Sequence, residues 1–194
     1  SGATEFDSSK PGNSNAGHEF KDGPLGKGVI GPLLTPDDRM AIIEYLDETQ
    51  PEPPLLPHDA VGRARVRALS ESIACEIHPL NNLRVLKYLV RELGVSDEAK
   101  SGWYVHWVRS GLEAFERQLD LRAAEREAAG LPPSLFCWGD TPTLADCCLV
   151  PQMFNARRLE CDLSGFPTLV AIDAHCTALD PFARAHPSVQ PDAE

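Results

Sequence analysis

The sequence predicts an all-α protein, and three observations carry that reading. Apolar residues recur at spacings of three and four over most of the chain beyond residue 39. Helix-start signals stand ahead of these runs. No stretch of four or more residues alternates apolar with polar, and no internal repeat is visible.

Residues 1–34 hold half of the glycines and only two aromatics, Phe6 and Phe20, so they bury too little apolar area to fold alone and are expected to be irregular or disordered. Thr35-Pro36-Asp37-Asp38 reads as a helix start: an N-cap hydroxyl, a proline preorganised for the first turn and two acids that suit the helix dipole. A helix to about Glu48 follows. Pro51-Glu52-Pro53-Pro54-Leu55-Leu56-Pro57 cannot continue it and reads as a stiff linker. Val66, Leu69, Ile73 and Ile77, then Leu80, Leu83, Leu86 and Val90, predict a long helix bent at Pro79. Ser96 with Asp97 and Glu98 opens the next, which buries Val108, Leu112, Phe115 and Leu119, with Trp103 and Trp107 joining that core. Arg122 to Ser134 is polar and helix-prone at first, then broken by Gly130, Pro132 and Pro133, and is expected to be a surface loop. Thr143 and Asp146 form a capping-box pair ahead of a near-continuously apolar segment, Leu144 to Ala156, which predicts a buried helix containing Pro151. Phe166-Pro167-Thr168-Leu169 starts a further helix to about Ala178, and a short last one precedes a proline-rich tail.

The 194 residues carry a net charge of −11, which argues against a nucleic-acid partner, and no run approaches the ~20 apolar residues of a membrane span. The N-terminus shows no basic region followed by an apolar stretch, so no secretory signal is expected. The six cysteines, at 75, 137, 147, 148, 161 and 176, show no metal-ligand spacing and read as small packing residues in a reducing cytoplasm. Arg63, Arg65 and Arg67 read as a solvated face, with contact to an anionic ligand as the alternative.

Ala41-Ile42-Ile43-Glu44-Tyr45-Leu46, Leu55-Leu56-Pro57, Ile77-His78-Pro79-Leu80-Asn81-Asn82-Leu83, the Gly139 to Gln152 segment, Asn155-Ala156-Arg157-Arg158 and the closing His186-Pro187 to Asp192 together resemble the maleylacetoacetate isomerases, the zeta class of glutathione transferases. Bacterial maleylpyruvate isomerases share much of the pattern. The resemblance covers roughly residues 40 to 194. It implies a glutathione transferase C-terminal-type helical bundle over 58–194, and over 35–57 a remnant helix of a thioredoxin-like domain plus its linker. It also implies glutathione as a cofactor that is not consumed: its thiolate adds to a cis double bond conjugated to a carbonyl, the resulting single bond rotates, and elimination returns the thiol with a trans product. Such chemistry belongs to aromatic-acid catabolism, with a small dicarboxylate as substrate and a homodimer as a candidate assembly.

By the same resemblance Arg158 falls on the arginine that binds the substrate carboxylate, a role suited to a planar, bidentate guanidinium. Read locally, it is an arginine at a helix end that favours the C-terminal dipole. His78 falls where the family places a glutamine or histidine near glutathione; its local reading is a partner for the backbone carbonyl that Pro79 leaves free. The chain departs from the family's glutathione half. The Gln-Ser pair that holds the γ-glutamyl group reads Asp38-Arg39, Ser8-Ser9 is followed by Lys10-Pro11-Gly12 rather than a helix, and Gly31-Pro32 is a weak match to the family's cis-proline loop. No catalytic residue is assigned. A non-catalytic helical binding or assembly module is therefore the competing reading, and glutathione binding separates the two.

Overall fold

A computed structural model describes residues 39–191, with side chains from Met40 onward. The irregular segment expected over 1–34, Ser8-Ser9, Gly31-Pro32 and the helix start at Thr35 to Asp38 lie outside the described residues. Two units divide the chain, Ser1–Ile42 and Ile43–Glu194; of the first, only Arg39–Ile42 is described.

The described residues are helical: α1 (Arg39–Thr49), α2 (Ala60–Glu71), a π-helical turn (Ser72–Ile77), α3 (Leu83–Arg91), α4 (Asp97–Ala128), α5 (Leu144–Arg158), α6 (Pro167–Thr177), α7 (Asp180–Ala185) and a final 3₁₀ turn (Pro187–Val189). The helix starts follow side-chain chemistry. Asp59 accepts from the Gly62 N–H at 2.7 Å to open α2, Asn82 from Arg84 at 3.0 Å to open α3, and Ser96 from Ala99 at 3.1 Å to open α4. Pro167 stands in the first turn of α6.

α5 lies at the centre. Leu144, Ala145, Leu149, Met153 and Ala156 are all buried, and α2, the π-helical turn and α6 pack against it. Val66, Leu69, Ile73 and Ile77 meet it from one side, and Leu169, Ile172 and Cys176 from another. α4 contributes Val108, Leu112, Phe115 and Leu119 to the core, as its spacing predicts. Trp103 and Trp107 are half-buried at the edge of that core, ring centroids 5.6 Å apart in an edge-to-face contact.

Two predicted elements differ from those observed. The long helix bent at Pro79 is two helices: the chain passes through the π-helical turn, leaves helical structure after Ile77, and restarts only where Asn82 supplies a new cap. Proline removes one donor and the Asn82 cap makes a fresh start cheap, so the chain breaks where a bend is expected. The loop expected from Arg122 begins later, because α4 runs on to Ala128. Ala, Arg and Glu between 122 and 128 have high helix propensity, and Gly130, at φ 68°, follows the helix end.

Three buried polar groups tie helices to the loops and helix starts around them. The Asp146 carboxyl receives the Thr143 N–H (2.7 Å), the Thr143 hydroxyl (2.8 Å) and the Cys137 N–H (2.8 Å), and the Cys176 thiol lies 3.9 Å away. The predicted capping box is present, and its acid also anchors the loop before α5. Glu116 reaches across from α4 to accept the Thr168 and Leu169 N–H groups, capping α6 where Phe166 offers no side-chain acceptor. Arg126 holds the Pro132 carbonyl and Asp140, and Arg122 covers the Trp138 ring at 3.9 Å.

Candidate functional site

The π-helical turn that precedes His78 packs against both α4 and α5, the helix that ends in Arg158. His78 follows the π-helical turn, half-buried, its backbone N–H donating to the Ile73 carbonyl at 2.9 Å in the i→i−5 pattern of that turn. The close pass of α4 against the turn depends on Gly111: a Cβ there would stand 2.2 Å from Ile77 Cγ1. Beyond Pro79 the chain is pinned to α4 twice. Trp103 Nε1 donates to the Leu80 carbonyl at 2.9 Å, and Asn81 Nδ2 donates to the Tyr104 carbonyl at 3.2 Å. Asn81 Oδ1 is buried without a hydrogen-bond partner.

Arg158 is the last residue of α5, and its backbone is fixed by the way the helix ends. Glu160 takes φ 54°, the Glu160 N–H returns to the Arg157 carbonyl at 3.0 Å, and the Cys161 N–H returns to Ala156 at 2.9 Å. These are the two bonds of a Schellman turn, here with a glutamate in the left-handed position that glycine usually fills. The Arg158 side chain is exposed, whereas its neighbour Arg157 is tied to Asp173 of α6.

Tyr104 connects the two predicted residues. Its backbone is bonded to the turn that carries His78, and its side chain, almost wholly buried, lies within the electrostatic reach of Arg158 and Cys161. Burial pushes the Tyr104 hydroxyl above the ordinary tyrosine value, Cys161 adds to the rise, and the Arg158 guanidinium opposes it. No local signal in the sequence singles out Tyr104; its part emerges from α4 lying against the His78 turn and from the charge of Arg158 acting on its hydroxyl.

Of the arginine cluster, Arg65 is exposed, whereas Arg63 and Arg67 are half-buried. Arg67 pairs with Glu44 at 2.5 Å, and Arg65 lies 3.6 Å from Glu125. The cysteines are free thiols; Cys137, Cys161 and Cys176 are buried, and burial pushes Cys147 and Cys176 up to about 12 and Cys148 to about 11, which leaves them protonated packing groups at neutral pH. Among the described residues no group of histidines, cysteines and acids is placed to hold a metal ion, and no helix is long and apolar enough to cross a membrane. An open hollow of about 600 Å³ on the outer face of α4, lined by Asp120, Ala123, Ala124, Glu127, Leu131 and Pro133, contains none of the candidate residues.

No family model matches the chain. It is 46% identical over 165 residues to a probable maleylacetoacetate isomerase of Vibrio cholerae, an alignment that spans 85% of this chain and 72% of the relative. The chain belongs to the maleylacetoacetate isomerase family, the zeta class of glutathione transferases. The fold agrees. The holo structure of a maleylpyruvate isomerase, a bacterial zeta-class glutathione S-transferase, superposes with a TM-score of 0.72 at 46% identity over 80% of this chain and 69% of that one. A maleylacetoacetate isomerase of Methylobacterium extorquens AM1 with bound malonate and glutathione superposes with a TM-score of 0.74 at 35% identity, covering 88% of this chain and 74% of that one.

Proposed function

We propose that residues 58–194 form the dicarboxylate-binding helical domain of a glutathione-dependent cis-trans isomerase acting on a maleyl-type substrate, with Arg158 as the anchor for a substrate carboxylate. The described part of residues 35–57, α1 and the segment that follows it, then belongs to the glutathione-side domain and its linker. One observation carries this reading. Arg158 is an exposed guanidinium on a backbone held by a Schellman turn, beside the nearly buried Tyr104, while the adjacent arginine is already committed to an acid. A planar donor fork on a fixed helix end suits bidentate recognition of a carboxylate.

The residues present fit one side of bound glutathione. His78 would hold it, at the end of the π-helical turn, and three residues further on Asn81 Oδ1 is a buried acceptor that no donor among the described residues satisfies. When bound, glutathione supplies a thiolate that reversibly saturates the substrate double bond and so permits rotation. Arg158 keeps one substrate carboxylate stationary while the far end turns, and Tyr104 provides the adjacent low-polarity wall.

A specific observation favours the second reading. The position at which the family holds the γ-glutamyl group reads Asp38-Arg39, which points to weak glutathione binding and to a helical module that keeps the dicarboxylate site without turnover.

Titration of the full chain with malonate and with glutathione by calorimetry, and steady-state kinetics on maleylacetoacetate and maleylpyruvate, separate the two. Malonate is expected to bind in either case. Arg158→Ala should weaken it near a hundredfold, about 2 to 3 kcal/mol for a lost charge-assisted bidentate pair, and Arg158→Lys should recover only part. Micromolar glutathione affinity with turnover supports the isomerase; malonate binding without glutathione binding supports the module. Wild-type malonate affinity in Arg158→Ala would remove the anchor role from both.

A further inference from the structure

Arg157 and Asp173 form an ion pair between the last turn of α5 and α6, Nη1 to Oδ2 at 2.5 Å. Its two ends stand in different media. The Arg157 side chain is 46% exposed and that of Asp173 only 3%. The second carboxyl oxygen, Oδ1, is buried with no hydrogen-bond partner.

Such a pair is a poor source of stability. Taking a carboxylate out of water is expensive, and a half-exposed guanidinium that serves one of its two oxygens returns only part of that. The titration of Asp173 points the same way: burial raises it above the ordinary carboxylate value, and Arg157 offsets part of the rise. A carboxyl raised on folding contributes stability below its unfolded pKa and loses that contribution as pH rises through its folded value. At neutral pH Asp173 therefore detracts from stability, and the pair calls for another explanation.

Its location supplies one. The Schellman turn fixes the backbone of α5 at Ala156, Arg157, Glu160 and Cys161, but those bonds are internal to the helix end. The Arg157–Asp173 pair is a side-chain tie from that turn to the neighbouring helix, one residue before the exposed Arg158. We propose that Arg157 and Asp173 are positioning residues: their ion pair holds the end of α5 against α6 so that the Arg158 guanidinium is presented in one place, and it keeps Arg157 from competing for the same carboxylate. This rests on the reading of Arg158 as the dicarboxylate anchor. A bidentate contact tolerates little displacement, and misplacement by an ångström costs up to about a hundredfold.

Asp173→Asn tests this because electrostatics and positioning predict opposite signs. Removing a negative charge near Arg158 should tighten a dianion by charge alone, whereas losing the tie should weaken it. On the full chain, calorimetry should show malonate binding about tenfold weaker in Asp173→Asn. The urea midpoint should be unchanged or higher, and amide exchange at Leu159 and Cys161 faster. Arg157→Lys, which keeps a charge for Oδ2, should retain most of the affinity, and Arg157→Gln should behave like Asp173→Asn. Equal or tighter malonate binding with unaltered exchange at the end of α5, while Arg158→Ala still abolishes binding, would overturn the positioning role alone. No effect of Arg158→Ala, or no malonate binding by the wild-type chain, would overturn the anchor reading and this inference with it.

Discussion

Asp146→Ala should destabilise the protein far more than Thr143→Ala, although both belong to one capping box. Asp146 is fully buried, and its carboxyl receives two backbone N–H groups, from Thr143 and Cys137, and the Thr143 hydroxyl. Truncation leaves both N–H groups buried without acceptors at about 1 to 3 kcal/mol each, while the hydroxyl can rotate to another partner. The expected cost is about 3 to 5 kcal/mol, a large share of the stability of an ordinary domain. Thr143→Ala removes only the hydroxyl; its own N–H and that of Cys137 keep the Asp146 acceptor, so about 1 kcal/mol is expected. The double variant should cost less than the sum of the two, because the hydroxyl has lost its contact with the carboxyl but still accepts the backbone N–H of residue 146, giving a coupling below about 1 kcal/mol. Urea denaturation of wild type, both single variants and the double variant measures all three numbers. Asp146→Asn keeps an acceptor oxygen at the cost of an ill-placed amide, and supplies an intermediate value if Asp146→Ala does not fold. Equal costs for the two single variants, or strict additivity, would refute the assignment of Asp146 as a tie between the Cys137 loop and α5.

Three further outcomes follow from the same structure. Gly111→Ala should cost about 1 to 3 kcal/mol, since its Cβ would run into the Ile77 side chain, and should cost much less in an Ile77→Ala background, where that side chain is gone; equal costs in the two backgrounds would rule out this close approach. Glu116→Ala should cost about 2 to 4 kcal/mol and speed amide exchange at Thr168 and Leu169, the two donors it leaves unpaired, with Glu116→Gln intermediate. Stability should fall between about pH 9 and 12: Cys147 and Cys176 are raised to about 12 and Cys148 to about 11 by burial, so their contribution is complete below the ordinary thiol value of 9.0 and is lost as only the unfolded chain releases protons. Denaturation midpoints across that range check this, and serine at all three positions should flatten the decline.

Where local chemistry decides the backbone, sequence and structure agree. Ser96, Thr143 and Pro167 each stand at the helix start that their side chains favour, and the 3.6-residue spacing of Val108, Leu112, Phe115 and Leu119 marks the face that α4 buries. The misses lie where long-range contacts decide. Nothing near Glu116 or Asp173 in the sequence marks them as buried: Glu116 meets the N-terminus of α6, and Asp173, on α6, meets Arg157 of α5, across 52 and 16 residues of chain. The π-helical turn before His78 carries no local signal either; Ile77 at its end packs where α4 passes closely at Gly111. The candidate site shows the limit most sharply. Nothing local distinguishes Arg157 from Arg158: they are adjacent, identical and both at a helix end, and only the resemblance of the surrounding motif assigns the second a role. The structure separates them physically. Arg157 is spent on Asp173, whereas Arg158 is exposed beside Tyr104, and if the first is the tie that aims the second, the pair of arginines is one functional unit in which only one member meets a ligand.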